Sequence, residues 1–338
     1  MYSAEMVDQP FPQDSIMAVT LGHKALQGVL PMSGAIDLLE RAFAHEAAGQ
    51  VQMSPKFVTD FKGGSMRILF AADSEAGYCA IKAYHSIQGA GVRYVVSLYR
   101  LKDGELLALL DGRYITDLRT GAASGVIARK VEVSGPVTVG LIGSGHQARS
   151  QLESLASVYR IVKARVYSPT PANRESFARE MSVKLGFPVE AVDTAQAAVR
   201  GHPVVAAASS ARGAEPVVRG EWLDQCRLLC AVGNTRAQFA EVDTRCFQDA
   251  RLVVVDTLHA LKEAGELRHA IEAGALPESK RATLGQLVTG AVAVPSEGLV
   301  VFKSVGTALQ DLAIAARYYE LIGASAGVPT AADLASVK

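Results

Sequence analysis

The sequence offers little to a metal ion or a disulfide framework: four cysteines and seven histidines in 338 residues. Cys79, Cys226, Cys230 and Cys246 fall in no paired CxxC pattern and stand near no histidine at zinc-ligand spacing, and the histidines form no HxxxH or HxH group. Reduced, mostly buried thiols are expected, and no protein-bound metal. An excess of one charge is missing too. The 34 Lys and Arg residues balance 34 Asp and Glu, with no long block of either sign, which argues against a nucleic-acid groove and against an anionic membrane surface. Long apolar runs are absent, so no membrane span is expected. The N-terminal stretch MYSAEMVDQPFPQDS carries acids and prolines where a secretory signal needs a basic end and an apolar core. These absences point to a cytoplasmic chain with enough length for two cores.

What is present changes character near residue 130. Before it, the helix-like segment MSGAIDLLERAFAHEAAG, with Ser33 as its expected N-cap, gives way to the strand-like runs MRILFAA, YCAIKAYHS and RYVVSLYRL between glycine turns. That is an α+β region. From Val137 the pattern becomes strand, glycine turn, helix, strand. VTVGLIG leads to ARSQLESLASV, ARVYS, RESFAREMSVKLG and VEAV, and the apolar runs PVVAAAS, CRLLCAVG, ARLVVVD and LVVFKS follow. Alternation of short apolar strands with helical connections is the rhythm of a doubly wound parallel sheet, an α/β fold. The last segment, VGTALQDLAIAARYYELIG, returns to helical spacing.

The turn in TVGLIGSGHQARSQLESLASV carries the clearest chemistry. Gly143, Gly145 and Ala148 form a G-x-G-x-x-A set that follows a predicted strand and opens a predicted helix, the context a dinucleotide fingerprint requires. The first glycine allows the tight turn, the second lets backbone approach a pyrophosphate, and Ala148 lets the helix pack on the sheet with its N-terminal NH groups toward the anion. The next strand ends in Val166-Tyr167-Ser168-Pro169-Thr170, with no carboxylate to take the two adenosine ribose hydroxyls. Hydroxyls at Ser168 and Thr170 with Arg174 close behind welcome a 2'-phosphate that an acid repels, so NADP(H) is favoured over NAD(H). The plainer reading has Arg174 decorating a solvated helix start.

With DGRYITDLRTGAASGVIARK, GLIGSGHQA, AVGNTRAQFAEVD and FKSVGTALQDLA in view, the chain resembles the ornithine cyclodeaminase and mu-crystallin family from about residue 30 to residue 320. The resemblance implies a homodimer. Its substrate-binding and dimerisation domain takes residues 1–128 plus 306–338 around an inserted Rossmann domain at 129–305. It puts Arg119 and Thr120 on the dinucleotide phosphates, the backbone of His146 and Gln147 on the pyrophosphate, Ser209 in the nucleotide groove, and Val232, Gly233 and Ser304 near the nicotinamide. Helix capping is the structural alternative for Ser304. In the first domain, Lys56 matches a family position held by Lys or Arg, Arg67 an arginine on the substrate carboxylate, and Lys82 a lysine facing the reacting carbon. A planar bidentate donor suits a carboxylate, and a buried lysine offers a proton or a cation to an imine. The plainer reading makes Arg67 and Lys82 surface cations at strand ends. Tyr84, His85 and Arg93 are further candidate liners.

One departure bears on the reaction. Family members that cyclise ornithine carry an aspartate after the AVG strand, where this chain reads Gly233-Asn234-Thr235; a threonine cannot act as that counter-charge or base. That turn also reads as a structural loop without substrate contact. The resemblance then implies a small-molecule substrate and leaves three activities. They are NAD(P)H-dependent reduction of an imine α-carboxylate such as pyrroline-2-carboxylate, piperideine-2-carboxylate or iminosuccinate, an alanine-type amino-acid dehydrogenase, and a non-catalytic NADPH-dependent binding protein. Ornithine cyclodeaminase chemistry is disfavoured.

Overall fold

The computed structural model describes residues 18–210 and 215–323. The outer parts of the expected first domain, 1–17 and 324–338, lie outside the described residues. Two sheets organise the rest. The first holds β1 (Val19–Leu21), β2 (Val51–Met53), β3 (Phe57–Phe61), β4 (Gly64–Asp73), β5 (Tyr78–Ile87), β6 (Gly91–Arg100) and β7 (Leu106–Asp111). Its order is β1-β7-β6-β5-β4-β2, with β3 also paired to β4. Neighbours are antiparallel except β1 and β7.

Period-two alternation sorts the side chains of β4, β5 and β6. Leu69, Ala71, Ala80, Val96 and Leu98 are buried, whereas Ile68, Phe70, Ile81 and Val95 are exposed on the opposite face. The buried face is covered by helices. α1 (His23–Leu26) and α2 (Met32–Ala47) precede the long strands, and α3 (Gly112–Lys130) follows them. Pro31, not Ser33, occupies the N-cap of α2, and Ser33 lies inside its first turn; the helix begins two residues earlier than a Ser33 cap would set, and Pro31 keeps it from starting earlier still because its ring disfavours the α region for the residue before it. α3 is capped by the Asp111 carboxylate, which accepts from the Tyr114 amide at 3.1 Å.

The second sheet is the doubly wound one. It comprises β8 (Val137–Ile142), β9 (Ile161–Tyr167), β10 (Val189–Ala191), β11 (Val204–Ala207), β12 (Leu228–Ala231), β13 (Leu252–Val255), β14 (Arg281–Thr283) and β15 (Val300–Lys303). All pair in parallel, in the order β10-β9-β8-β11-β12-β15-β13-β14. The connections carry α4 (His146–Val158), α5 (Pro171–Leu185), α6 (Ala195–Val199), α7 (Thr244–Asp249), α8 (Ala260–Glu263), α9 (Gly265–Glu272) and α10 (Leu284–Val288). The direction of winding reverses between β8 and β11, so the crevice outside their carboxyl ends is where such a sheet binds a ligand.

The two sheets are joined tightly. After β15 the chain turns into α11 (Ala308–Tyr318), which packs on α3, β4 and β5 of the first sheet. α3 in turn lies against α4. A side chain on Gly121 would strike Ser150 of α4, and one on Gly125 would meet Ile36 Cδ1 and Ser154 Oγ. The RTGAAS stretch is therefore small because two helices cross there at close range. Among the described residues no helix is long and apolar enough to cross a membrane.

Candidate active site

The glycine turn is built for close approach. Gly143 sits at φ 104°, and a Cβ there would lie 2.5 Å from the Ala208 carbonyl of the strand next door; only glycine fits. Above Gly145 a Cβ would meet nothing within 4 Å. Gly145 is the N-cap of α4 and provides no side-chain cap, while Ala148 is fully buried against the sheet. Open space over uncapped helix NH groups suits a dinucleotide pyrophosphate. The side chains of the first turn point elsewhere: His146 Nε2 bonds Arg113, and Gln147 Nε2 donates to Asp117 Oδ1 at 2.7 Å.

At the end of β9, Ser144 Oγ donates to Ser168 Oγ at 2.9 Å, and Thr170 is exposed at the N-cap of α5. Arg174 does not decorate a solvated surface. It is buried, donates to the Ser168 carbonyl at 3.0 Å and to Asp193 Oδ1 at 2.6 Å, and lies over the Tyr167 ring. Asp193 is 19 residues downstream in a different connection, a distance at which sequence spacing carries no signal.

Two buried acids shape the crevice between the strand ends. Glu241 accepts from the Ser209 amide at 2.5 Å and the Gly233 amide at 2.8 Å, tying the exits of β11 and β12 together. Burial pushes its carboxyl upward, against the pull of Lys303. Asp256 accepts from Ser304 Oγ at 2.6 Å and from the amides of Val305 and Gly306 at 3.1 and 2.7 Å. Ser304 is thus a donor to Asp256 and not a helix cap, since Thr307 caps α11. The Gly233-Asn234-Thr235 turn is no free loop. Asn234 donates to Glu266 at 2.5 Å, its carbonyl accepts from Lys303 Nζ at 2.5 Å, and Lys303 pairs with Glu266 at 2.8 Å, both fully buried. Gly233 and Thr235 are left facing the cleft.

That cleft, about 250 Å³, lies between the first sheet and the crevice. Arg67, Leu69, Lys82, Tyr84 and Tyr94 enter it from β4, β5 and β6, Thr116, Arg119 and Thr120 from α3, and Val232, Gly233 and Ser304 from the second sheet. Register explains the first set: Arg67 opposes Tyr84, which opposes Tyr94, and Leu69 opposes Lys82. His85 and Arg93 pair with each other one step out of phase and fall on the other face. Lys82, only 3% exposed, is no surface cation. Its Nζ donates to Thr116 Oγ1 at 2.5 Å and Asp311 Oδ1 at 2.7 Å. Burial pulls its pKa down to about 8, with Arg119 and Lys56 adding to the fall and Asp311 opposing it. Tyr84 and Tyr94 stack at 5.0 Å and flank the ammonium. Burial raises the Tyr84 phenol to about 12.

The other cations are held differently. Arg67 is half-buried, with its guanidinium over the Tyr84 ring at 5.7 Å. Arg119 donates to Gln310 Oε1 at 3.0 Å and lies 3.4 Å from Asp311. Lys56 reaches Glu263 of α8 at 2.9 Å, linking the two sheets' sides of the cleft. Asp311, Glu241, Asp256, Glu263 and Glu266 are partners that sequence reading does not single out. Asp311 had one available signal: a carboxylate on the apolar stripe of an amphipathic helix is a charge that needs a buried partner.

A family model described as the ornithine cyclodeaminase/mu-crystallin family matches residues 19–325. The chain belongs to that family. Within the ornithine cyclodeaminase/mu-crystallin family, it is 31% identical to an alanine dehydrogenase of Archaeoglobus fulgidus, over 89% of this chain and 94% of that protein. It is 33% identical to a Delta(1)-pyrroline-2-carboxylate reductase of Bacillus cereus, over 67% of this chain and 70% of that one. Among solved structures, the Delta(1)-pyrroline-2-carboxylate reductase of Thermococcus litoralis, in complex with NADH and L-proline, superposes with a TM-score of 0.85 at 30% identity, covering 90% of this chain and 97% of that one.

Proposed function

We propose that this chain reduces imine α-carboxylates with NAD(P)H, with pyrroline-2-carboxylate, piperideine-2-carboxylate and iminosuccinate as candidate substrates and an L-amino acid as product. It is an NAD(P)-dependent oxidoreductase acting on CH–NH or CH–NH2 groups. The observation that carries the reading is one cleft shared by Arg67 and the buried Lys82 with Val232, Gly233 and Ser304 at the carboxyl ends of the parallel sheet. The names of the pyrroline-2-carboxylate reductase relatives support it.

In this reading Arg67 takes the α-carboxylate as a planar bidentate donor, with Lys56 flanking it from its contact with Glu263. The Lys82 ammonium gives a proton to the imine nitrogen, is left as a neutral amine and regains the proton from solvent. A bound NAD(P)H supplies the hydride to the imine carbon. Gly143, Gly145 and the amides of His146 and Gln147 hold the pyrophosphate, Arg119 and Thr120 reach the phosphates, and Ser209, Val232, Gly233 and Ser304 surround the nicotinamide. NADP(H) is favoured over NAD(H) because Ser168 and Thr170 leave the end of β9 without an acid and Arg174 stands behind them. The protein works as a cytoplasmic homodimer of two-domain subunits divided at 1–128 plus 306–338 and 129–305.

Cyclisation of ornithine fits the cleft poorly. Thr235 faces it, and Asp311, already bound by Lys82 and Arg119, is the one carboxylate among the described residues that line it. The test is NADPH consumption with pyrroline-2-carboxylate, set beside pyruvate plus ammonia. Faster turnover of the preformed imine is expected; turnover only with pyruvate and ammonia indicates an alanine-type dehydrogenase, and NADPH binding without turnover a binding protein. Lys82→Met should lower kcat by about 100-fold or more while NADPH still binds, and unchanged turnover would remove Lys82 from the mechanism.

A further inference from the structure

Lys82, Thr116, Arg119 and Asp311 form one connected polar cluster at the back of the cleft, all buried. Thr116 Oγ1 donates its own hydrogen to the Gly112 carbonyl at 2.5 Å, so it receives from Lys82. Asp311 Oδ1 receives the second hydrogen at 2.7 Å. An ammonium has three. With two fixed on acceptors and the Tyr84 and Tyr94 rings at 5.8 and 5.2 Å on its flanks, the third is left for the cleft. Asp311 itself comes from α11, which follows directly on the Ser304 turn of the second sheet.

We propose that Asp311 is a positioning residue for the reduction: its carboxylate keeps Lys82 an ammonium and turns the remaining N–H toward the imine nitrogen. This rests on the reading of the chain as an imine reductase. The groups acting on Lys82 are Asp311 from α11, Arg119, Thr116 and Asp117 from α3, Lys56 from the segment after β2, and the two tyrosines from β5 and β6. Burial, Arg119 and Lys56 all favour the neutral amine; Asp311 is the carboxylate in contact with the ammonium and favours it, and Asp117 of α3 acts in the same direction without touching it. Removing Asp311 makes Lys82 lose its proton at lower pH. The rate, which needs the ammonium, then falls away earlier as pH rises.

The experiment compares wild type, Asp311→Asn and Asp311→Glu. Steady-state kinetics with NADPH and pyrroline-2-carboxylate give kcat and KM across pH, and competitive labelling with acetic anhydride reads the titration of Lys82 without turnover. Asp311→Asn should move the high-pH limb of kcat and the labelling midpoint down together by about one to two pH units, with KM for NADPH changed less than about threefold. Asp311→Glu keeps the charge and misaims it, so the midpoint should stay near wild type while kcat falls by about tenfold or more. An unmoved midpoint in Asp311→Asn, or wild-type kcat in Asp311→Glu, would overturn the proposal. If Asp311→Asn fails to fold, Asp311→Glu decides alone. Absence of imine turnover in wild type with a midpoint that still falls in Asp311→Asn would sink the reductase reading and the aiming role, leaving only the charge effect.

Discussion

Single buried charges set the chemistry here, and the cost of each depends on who faces it. Lys82 is tolerated without solvent because Asp311 and Thr116 receive its hydrogens. Glu46, near the end of α2, has the opposite situation. Burial and the facing Asp256 raise its pKa to about 7 from 4.5, and its Oε2 has no hydrogen-bond partner. A carboxyl that holds its proton longer when folded makes stability fall as pH rises from 4.5 to about 7, with the full cost present above that range. Glu46→Gln should therefore stabilise the protein by on the order of 1–2 kcal/mol at pH 8 and by almost nothing at pH 4. Thermal unfolding of both proteins across that range checks it; an equal gain at both ends would mean that the charge is not the cause.

At the scale of elements, most of the architecture was legible, because its signals are local. The strands of the second sheet are short apolar runs, the glycine set opens α4, and the three long strands of the first sheet show period-two burial. What was not legible depends on partners brought together by folding. β15 inserts between β12 and β13 although it follows both in the chain. Lys82 and Asp311 meet across 229 positions, and no periodicity in either segment names the other. Arg174 shows the same limit: its place behind Ser168 was visible, its bond to Asp193 was not. That bond makes the β9 to α5 turn a braced unit; in the proposed reading of this turn as the ribose end of the nucleotide site, the hydroxyls of Ser168 and Thr170, more than the guanidinium, would decide which nucleotide fits. Ser168→Asp should accordingly lower kcat/KM for NADPH by about tenfold or more, through like-charge repulsion of a 2'-phosphate, and leave NADH much less affected. Equal losses with both nucleotides would show that the turn does not read the ribose.

For the whole molecule, the helices among the described residues cover one face of the first sheet and leave the other bare. Ile68, Phe70, Ile81 and Val95 lie on that bare face at 37, 38, 37 and 47% exposure, with Phe57 and Phe61 of β3 beside them. These side chains come from neighbouring strands in register, Phe57 opposite Ile68 and Phe70 opposite Ile81, so they form one continuous apolar surface rather than scattered single residues. A contiguous patch of this kind marks an association surface, and a second copy of the same patch is the self-complementary partner that a two-fold dimer requires. The cleft opens on the opposite face of the same strands, so a dimer through this patch would also stiffen the sheet that carries Arg67 and Lys82. Ile68→Arg introduces a charge that desolvation in such an interface makes costly. Sedimentation equilibrium should find a mass near the 35.7 kDa of one chain for the variant against twice that for wild type, and the monomer should lose imine reduction while still binding nucleotide at the second sheet. A variant that stays dimeric would put the interface elsewhere, and a fully active monomer would show that the sheet holds its cleft residues in place unaided.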